Sequence, residues 1–354
     1  MPAAPARPDV LAAFATQVRW CDELGSPFTA RLLERAGLAL AAGQAPADLL
    51  GDWPGDPKAD ALALRFAGAL HALVLSGSAP ALAACYPPHA ADIEALWAAV
   101  GDALAAHPEH MRAWLASPPQ TNEARRSAVL LGGFLEVAHL TGRPLRLLEI
   151  GASAGLNLMG DRFRYRLTDT LFGDIGSSVE VATDWLGPSP RMDAPLRVVS
   201  RQGCDIRPID LEDAEQRLRL RAYVWADQSE RMAMLAGAMD LARAAGVRVN
   251  RADAADWVDA RLAEETDAAT VLYHSLVWQY LPAATQARIT AAMEEAGARA
   301  TKERPLAWLS FELQAEGPAA LTLRLWDGGA HQGTERLLAH AHGHGAWVEW
   351  RVFF

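Results

Sequence analysis

The sequence predicts an α/β protein with two parts: an all-helical N-terminal domain, residues 1–142, and a mostly parallel sheet with an antiparallel C-terminal edge, residues 143–354. Three observations lead to this fold class. Apolar residues recur at helical spacing up to about residue 142, short apolar runs alternate with helical segments from Leu145 onwards, and a glycine-rich turn follows the first run. Alternating strands and helices are typical of parallel sheets.

Five segments of the N-terminal half have the apolar spacing of helices. They are Val10–Leu24, Phe28–Ala42, Ala59–Leu75, Ile93–Ala106 and Asn122–Leu140. Ser26-Pro27 provides the N-cap serine and first-turn proline expected where the second helix begins. Gly43, Gly77 and Gly142 follow three helix ends, where glycine commonly stops a helix.

Five apolar runs of the C-terminal half are expected to be buried strands, with helices between several of them. The strands are Leu145–Ile150, Leu196–Ser200, Val247–Val249, Thr270–His274 and Leu306–Phe311, and the helices are Ala154–Phe163, Ser229–Ala245 and Pro282–Ala298. Glycine and proline interrupt the pattern at about 164–195, which we interpret as a hairpin-like insertion. Leu321–Trp326 and Ala346–Phe353 can form the antiparallel edge.

Composition disfavours several classes of protein. The 354 residues are 51% hydrophobic and carry a formal net charge of −10, which argues against non-specific nucleic-acid binding. Cys21, Cys85 and Cys204 are far apart, so neither a disulfide framework nor a cysteine zinc site is expected. The N-terminus lacks the apolar region of a signal peptide, and the longest apolar stretch, Ala61–Leu75, is too short to span a bilayer. We therefore expect a cytoplasmic protein that binds neither nucleic acid nor membrane.

The most informative motif follows the first strand. Glu149 ends the strand, Gly151 allows a tight turn, and Gly155 lets the following helix approach both the strand and a ligand. The N-terminus of that helix is expected to offer free N–H groups. This E-x-G-x-x-x-G form resembles motif I of class I S-adenosylmethionine (SAM)-dependent methyltransferases, with Ser153 in place of the middle glycine. The resemblance implies a SAM site formed by Glu149, Gly151, Ser153, Gly155 and Asn157.

The same residues permit a rival interpretation. Gly151–Gly155 also has the form G-x-S-x-G, the nucleophile elbow of α/β-hydrolases, and Ser153, Asp327 and His344 follow the triad order of those enzymes. However, a hydrolase elbow is preceded by several strands, whereas everything before Leu145 is helical.

Several further motifs fall in the order found in one bacterial family. They are Pro119–Glu123, Leu147–Leu158, Gly203-Cys204-Asp205, Pro208, Asp210, Val224–Gln228, and His344-Gly345 followed by Trp350. With these motifs the chain resembles domain-of-unknown-function family 2332 from about residue 10 to the end. The resemblance implies a Rossmann-type, methyltransferase-like core but no particular reaction.

The methyltransferase resemblance also implies positions for the rest of the cofactor. An acid after the second strand of such enzymes binds the ribose hydroxyls, and here Asp205 is preferred over Asp210. A residue after the third strand meets the adenine, which implies Asp253. The alternative for each acid is a solvated loop residue or a helix cap.

The fourth strand leads into a segment that resembles the corresponding one of small-molecule methyltransferases. This segment contains His274 and Tyr280 and ends in Leu281-Pro282. At the carboxyl edge of an open sheet, His274 can act as a base or orient a nucleophile. Equally, it can be a buried histidine bonded to the backbone.

Helix geometry brings another polar group towards this edge. If the helix from Asn122 packs antiparallel to the first strand, its beginning returns to the carboxyl end of that strand. Gln120 and Asn122 would then be available to bind substrate, and Glu123 to act in catalysis. Ordinary helix capping is the alternative.

A third polar cluster combines Trp225, Asp227, Gln228 and Arg231. An aromatic wall, an amide and a cation can hold a carboxylate or another polar substrate, and Asp227 is a further catalytic candidate. The alternative is a capping pair formed by Asp227 with Glu230.

The alternate histidines His340, His342 and His344 lack a fixed acidic or cysteine partner, and the neighbouring glycines favour a turn. We therefore predict no metal site and place only His344 at the substrate pocket. The expected function is SAM-dependent methyl transfer to a small molecule, in a pocket shared by both domains. The alternatives are a non-catalytic SAM-binding or interaction protein and, less favoured, a serine hydrolase.

Overall fold

The computed structural model describes residues 4–351, which fall into two compact units. One unit contains residues 4–121 and 213–233, and the other contains 122–212 and 234–351. In the described chain the first unit is built from helices, and the second contains the sheet. The helix at 127–141, which the sequence places in the N-terminal part, is counted with the sheet.

Twelve α-helices are present in the described residues. They are α1 (Pro8–Glu23), α2 (Pro27–Ala41), α3 (Ala47–Leu50), α4 (Leu62–Leu75), α5 (Pro80–Ala83), α6 (Ile93–Ala106), α7 (Pro108–Leu115), α8 (Ser127–Thr141), α9 (Ala214–Ala222), α10 (Ser229–Ala244), α11 (Ala254–Leu262) and α12 (Ala283–Ala298). Short 3-10 helices cover Ala124–Arg126, Asn157–Arg162 and Trp278–Tyr280. Among residues 4–351, no helix combines the length and apolar character needed to cross a bilayer.

The helical unit has its own apolar core. Phe14 of α1, Leu33 of α2 and Phe66 of α4 are almost completely buried in it. Local signals set the helix starts: α1, α2 and α7 begin with proline, whose fixed φ suits the first turn. At the start of α6, the Asp92 carboxylate accepts a hydrogen bond of 2.8 Å from the backbone of Ala95.

The strands of the second unit form one sheet of eleven strands. They are β1 (Leu145–Ile150), β2 (Arg164–Leu167), β3 (Thr170–Gly173), β4 (Glu180–Leu186), β5 (Val198–Asp205), β6 (Val249–Arg251), β7 (Ala269–Ser275), β8 (Leu306–Glu312), β9 (Ala319–Trp326), β10 (Arg336–Ala341) and β11 (Trp347–Trp350). Their spatial order is β3-β2-β4-β11-β10-β9-β8-β7-β1-β5-β6.

The strands β6, β5, β1, β7 and β8 are parallel neighbours. Numbered along the chain, these five have the order 3-2-1-4-5 found in Rossmann-like doubly wound sheets. The next three strands, β9 to β11, continue as an antiparallel meander. The predicted fold class is therefore confirmed: a helical N-terminal region is followed by a mostly parallel sheet with antiparallel strands.

Both faces of the parallel core are covered. On one face, Leu148 and Leu272 pack in a cluster with Val258 of α11 and Ile289 of α12. On the other face, the ring of Phe134 in α8 lies 5.1 Å from that of Tyr273 in β7, edge to face. All six residues of β1 are buried, as the uninterrupted apolar run predicts for a central parallel strand.

Several predicted elements are corrected by the structure. The α-helix expected at 154–163 is absent, and only the 3-10 helix Asn157–Arg162 is present, because three left-handed residues precede it. The strand expected at 196–200 extends through Asp205, so this acid ends β5 instead of following it. An additional strand, β10, lies between the two strands predicted for the C-terminal edge and includes His340.

The insertion predicted at about 164–195 contains an antiparallel hairpin of β2 and β3. It also contributes β4, which pairs in parallel with both β2 and β11. The segment therefore extends the main sheet beyond the antiparallel meander.

Candidate functional site

The turn after β1 is strained and tightly packed. Gly151, Ser153 and Gly155 have φ values of +66°, +53° and +75°, in the left-handed region that suits glycine but costs energy for serine. A Cβ atom added at Gly151 would lie 2.5 Å from Cγ2 of Val277. The chain that follows β7 therefore comes into direct contact with the turn after β1, and only glycine fits at position 151.

The backbone N–H groups of this turn are largely used by the protein itself. The amide of Ala152 donates to the Cys204 carbonyl at 3.0 Å, and that of Ser153 donates to Oδ2 of Asp205 at 3.0 Å. The amide of Leu156 donates to Oδ1 of Asn122 at 3.0 Å. The expectation of several free N–H groups at a helix N-terminus is therefore wrong, because side chains and carbonyls of neighbouring segments already accept these hydrogen bonds.

Asp205, predicted to bind ribose, supports the turn. Its Oδ2 accepts from Ser153 and its Oδ1 accepts from the backbone of Arg207 at 2.8 Å. A carboxylate has room for about four hydrogen bonds, so its role towards a ribose stays a prediction. The second choice, Asp210, accepts a hydrogen bond from the backbone of Glu212 at 2.9 Å.

The predicted adenine residue, Asp253, is the N-cap of α11. Its Oδ1 accepts hydrogen bonds from the amides of Ala255 and Asp256, at 2.9 and 3.2 Å. The capping alternative for this acid is therefore present in the structure, and its contact with adenine stays a prediction.

Three polar side chains at the turn keep unused hydrogen-bonding capacity. Neither amide atom of Asn157 has a well-formed hydrogen bond in the described structure, although the residue is 1% exposed. The hydroxyl of Ser153 is also buried without such a bond. The third side chain is Glu149, whose Oε2 accepts a hydrogen bond of 3.2 Å from the Tyr273 hydroxyl. Buried polar atoms without partners are costly, so they mark positions where a polar ligand would be stabilised.

Burial raises the pKa of the Glu149 carboxyl to about 8. The hydrogen bond from Tyr273 and the positive charge of Arg126 act in the opposite direction, as does the amide of Asn157. The negative charge of Asp205 adds to the rise. The site therefore contains a buried acid that a positively charged ligand would help to ionise.

The segment before α8 reaches the same edge of the sheet. Asn122 bonds to the turn, and Oε1 of Glu123 accepts a hydrogen bond from the Arg125 backbone at 3.2 Å. The guanidinium group of Arg126 donates to the carbonyl oxygens of Gly343 and Ser275, at 3.0 and 3.3 Å.

The loop that contains His344 also lies at this edge. The backbone amide of His344 donates to Nδ1 of His342 at 3.1 Å, and the two rings are 5.5 Å apart. Together with the Arg126 contacts, this places the Asn122–Arg126 segment, the end of β7 and the 342–345 turn around the glycine-rich turn.

His274 is 1% exposed and lies on the sheet face covered by α11 and α12. Its Nδ1 lies 2.6 Å from Oε1 of Glu312, and its ring stacks on Trp278 at 4.8 Å. The same Glu312 oxygen accepts hydrogen bonds from the amides of Val277 and Trp278, at 3.1 and 3.2 Å. His274 is therefore paired with an acid that also fixes the loop after β7. Tyr280, predicted to bind substrate, is 76% exposed at the end of that loop.

The third predicted cluster belongs to the helical unit. The Asp227 carboxylate accepts hydrogen bonds from the Ser26 hydroxyl at 2.5 Å and from the Phe28 amide at 2.8 Å, at the start of α2. The side-chain amide of Gln228 donates to the Leu24 carbonyl at 2.9 Å, and Arg231 donates to Gln228. These contacts give the cluster a structural role inside its own unit.

Two other predicted substrate residues also belong to the helical unit. Trp225 packs against the apolar core of this unit. Gln120 is half-buried and lies one residue before the end of the first stretch of this unit, residues 4–121. Roles of these residues in a substrate pocket stay predictions.

The serine-hydrolase triad does not form. Trp326, which ends β9, pairs with Leu306, which begins β8, so Asp327 lies at the amino edge of the parallel strands. Ser153 follows the opposite edge, and a strand of six residues such as β1 is about 20 Å long. Asp327 instead pairs with His331, whose Nδ1 lies 2.7 Å from its Oδ2.

No group of three histidine, cysteine or acidic side chains is arranged to hold a metal ion within residues 4–351. Sequence reasoning missed three residues at the edge of the sheet: Arg126, Tyr273 and Glu312. Tyr273 and Glu312 meet their partners through strand register, as Tyr273 does by lying opposite Glu149 in the β1–β7 pair. For these two, a polar residue inside an apolar strand was the one available signal. Arg126 lies in a short 3-10 helix and reaches carbonyl groups of the 342–345 turn and of the end of β7.

A family model described as "Uncharacterized protein conserved in bacteria (DUF2332)" matches residues 11–350. The chain belongs to this family. The match covers nearly the whole chain and confirms the family resemblance of the motifs between Pro119 and Trp350. A comparison with curated proteins found no match.

Proposed function

We propose that this protein binds SAM at the Gly151–Gly155 turn and transfers a methyl group to a small molecule. One observation carries the proposal: an acid–glycine turn follows the first strand of a sheet with order 3-2-1-4-5. In open sheets of this order, ligands bind at the carboxyl ends of the first and fourth strands, where the helical connections change face. Here these strands are β1 and β7, and Gly151 meets Val277 between them.

The polar side chains at the turn that keep hydrogen-bonding capacity are suited to the charged groups of SAM. The carboxylate of Glu149 would accept hydrogen bonds from the ammonium group of the ligand, forming a charge-assisted contact in a buried place. Asn157 and Ser153 would contribute an amide and a hydroxyl that have no well-formed hydrogen bond in the described structure. When bound, SAM supplies a methyl group on a positively charged sulfur, and the protein supplies orientation.

Because Glu149 is a buried acid, the affinity for SAM should depend on pH. Its pKa of about 8 keeps most of the carboxyl protonated at pH 7 in the free protein. A cationic ligand favours the ionised carboxylate, so binding at neutral pH releases a proton to the solvent. Affinity therefore increases as the pH rises towards about 8 and levels off above that value.

Titration calorimetry with SAM and with S-adenosylhomocysteine is the test. We expect binding that becomes tighter from pH 6 to pH 8, with proton release visible as different heats in buffers of different ionisation enthalpy. Asn157→Leu and Ser153→Ala should weaken binding. Ser127→Ala is the matched control, because its hydroxyl is equally buried but lies on α8.

A folded, ligand-free preparation that binds neither compound rejects the proposal. Binding that is unchanged in both turn variants would mean that the ligand lies elsewhere. Binding without methyl transfer to any small-molecule acceptor would favour the non-catalytic alternative. A fluorophosphonate probe should leave Ser153 unlabelled, since no histidine is bonded to its hydroxyl in the described structure.

A further inference from the structure

A polar cavity of about 220 Å³ lies beside His274, on the sheet face that carries α12. Strands β7, β8 and β9 form its floor, with His274, Ser310 and Thr322 directly opposite one another in neighbouring strands. Trp278 and Trp308 form aromatic walls, and the remaining lining residues are Thr290, Arg324 and Glu335. The volume is below that of sites for drug-sized ligands, so the cavity has room only for a small molecule.

Glu312 fixes the proton on the histidine ring. A carboxylate 2.6 Å from Nδ1 accepts a hydrogen bond, so the neutral ring carries its proton on Nδ1. The other nitrogen, Nε2, is then a hydrogen-bond acceptor. It is buried and has no partner among residues 4–351. His274, which lines the cavity, thus has an unused hydrogen-bond acceptor.

Trp308 lines the same cavity, and its indole has an unused hydrogen-bond donor. Its Nε1–H is buried and has no hydrogen bond in the described part of the chain. Its ring lies 6.1 Å from that of His274, edge to face. One ring thus leaves an acceptor unused and the other a donor, and a hydroxyl group can both donate and accept a hydrogen bond.

We propose that this cavity binds a small phenol, with its hydroxyl donating to Nε2 of His274 and accepting from Nε1–H of Trp308. The aromatic ring of the ligand packs against Trp278 and Trp308, where stacked or edge-to-face contacts are favourable. An acidic hydroxyl matches the imidazole acceptor better than an aliphatic alcohol does. This site does not depend on SAM binding at the glycine-rich turn.

The test is a titration of ¹⁵N-labelled protein, without SAM, with phenol as the probe. The indole N–H signal of Trp308, assigned with Trp308→Phe, should shift and saturate. Anisole has the same ring but no hydroxyl proton, and it should bind at least about tenfold more weakly. Cyclohexanol keeps the hydroxyl without the aromatic ring and should also bind more weakly.

His274→Phe retains an aromatic ring against Trp278 and removes Nε2, so it should weaken phenol binding about tenfold. His340→Phe is the matched control: this histidine also has an unpartnered buried nitrogen, but it lies on β10 and does not line the cavity. Equal affinity for phenol and anisole in the wild-type protein overturns the proposal, even if the variants do not fold. Cyclohexanol binding as tightly as phenol, or a Trp308 signal that phenol does not move, overturns it as well.

Discussion

Replacing Glu149 by glutamine removes a titratable group from the buried part of the candidate site. Glutamine has nearly the shape of glutamate and can still accept the hydrogen bond from Tyr273, so packing changes little. What changes is protonation. The folded wild-type protein holds a proton on Glu149 up to pH of about 8, whereas an exposed glutamate releases it near 4.5. Folding stability of the wild type therefore depends on pH in a way that the variant does not.

The sign and size of the effect follow from these two pKa values. Below pH 4.5 both the folded and the unfolded chain are protonated at Glu149, so this residue adds no pH dependence to the free energy of unfolding. Between pH 4.5 and 8 the unfolded chain binds fewer protons, so the free energy of unfolding falls as pH rises. At about 1.4 kcal/mol per pH unit, the difference between the two pKa values of Glu149 lowers the free energy of unfolding by at most roughly 5 kcal/mol. Relaxation of the protein around a charged Glu149 reduces this loss, and we expect the free energy of unfolding to fall by about 2 kcal/mol or more.

Urea unfolding of the wild-type protein and Glu149→Gln, followed by circular dichroism at pH 5, 7 and 8.5, measures the difference. We expect the advantage of the variant to grow with pH, while SAM binding is lost. Tyr273→Phe removes the hydrogen bond that lowers the pKa of Glu149, so it should extend the pH-dependent loss above pH 8. A stability difference between Glu149→Gln and wild type that is the same at all three pH values would refute the buried-acid reasoning.

Three further outcomes are expected. Burial lowers the pKa of His71 to about 4, so this residue contributes a loss of stability as pH falls from 6.5 to 4, opposite in sign to the contribution of Glu149, and in urea unfolding the wild type should lose stability relative to His71→Leu over that range. Gly151→Ala should cost about 1–3 kcal/mol more than Gly142→Ala, because both have positive φ but only the first meets Val277. Adding Val277→Ala should recover part of that excess in the same thermal or urea assay. Asn157→Leu should leave the melting temperature unchanged or higher while it weakens SAM binding, since it removes a buried amide that has no well-formed hydrogen bond in the described structure.

Local signals explain which elements the sequence could predict. The bounds of α6 and β1 match the sequence prediction, because helical periodicity defines one and a fully buried apolar run defines the other. Proline after Ser26 likewise marks the start of α2. In each case the information lies within a few residues of the element itself.

The turn after β1 could not be predicted in the same way. Its two glycines signalled a tight turn, but the left-handed conformation of Ser153 depends on Asp205, which is 52 positions away and reaches the Ser153 amide only through the β1–β5 register. With three left-handed residues in five, the chain cannot begin an α-helix there, and only a 3-10 helix follows.

The partners of the candidate site residues also come from distant segments. His274 and Glu312 are separated by 38 positions and meet because β7 and β8 are parallel neighbours. Asn122 reaches the amide of Leu156 across 34 positions. For Asp227, the capping contact with the start of α2 spans 199 positions, so its residue type alone did not distinguish a structural from a catalytic role.

The central claim is that the turn after β1 holds SAM, and a crystal structure of the protein grown with S-adenosylhomocysteine tests it most directly. We expect the amino-acid part of the ligand beside Glu149 and Asn157, with its ammonium group within hydrogen-bonding distance of the Glu149 carboxylate. Density for the ligand at any other place, or a turn that stays free of it at saturating concentration, would contradict the claim.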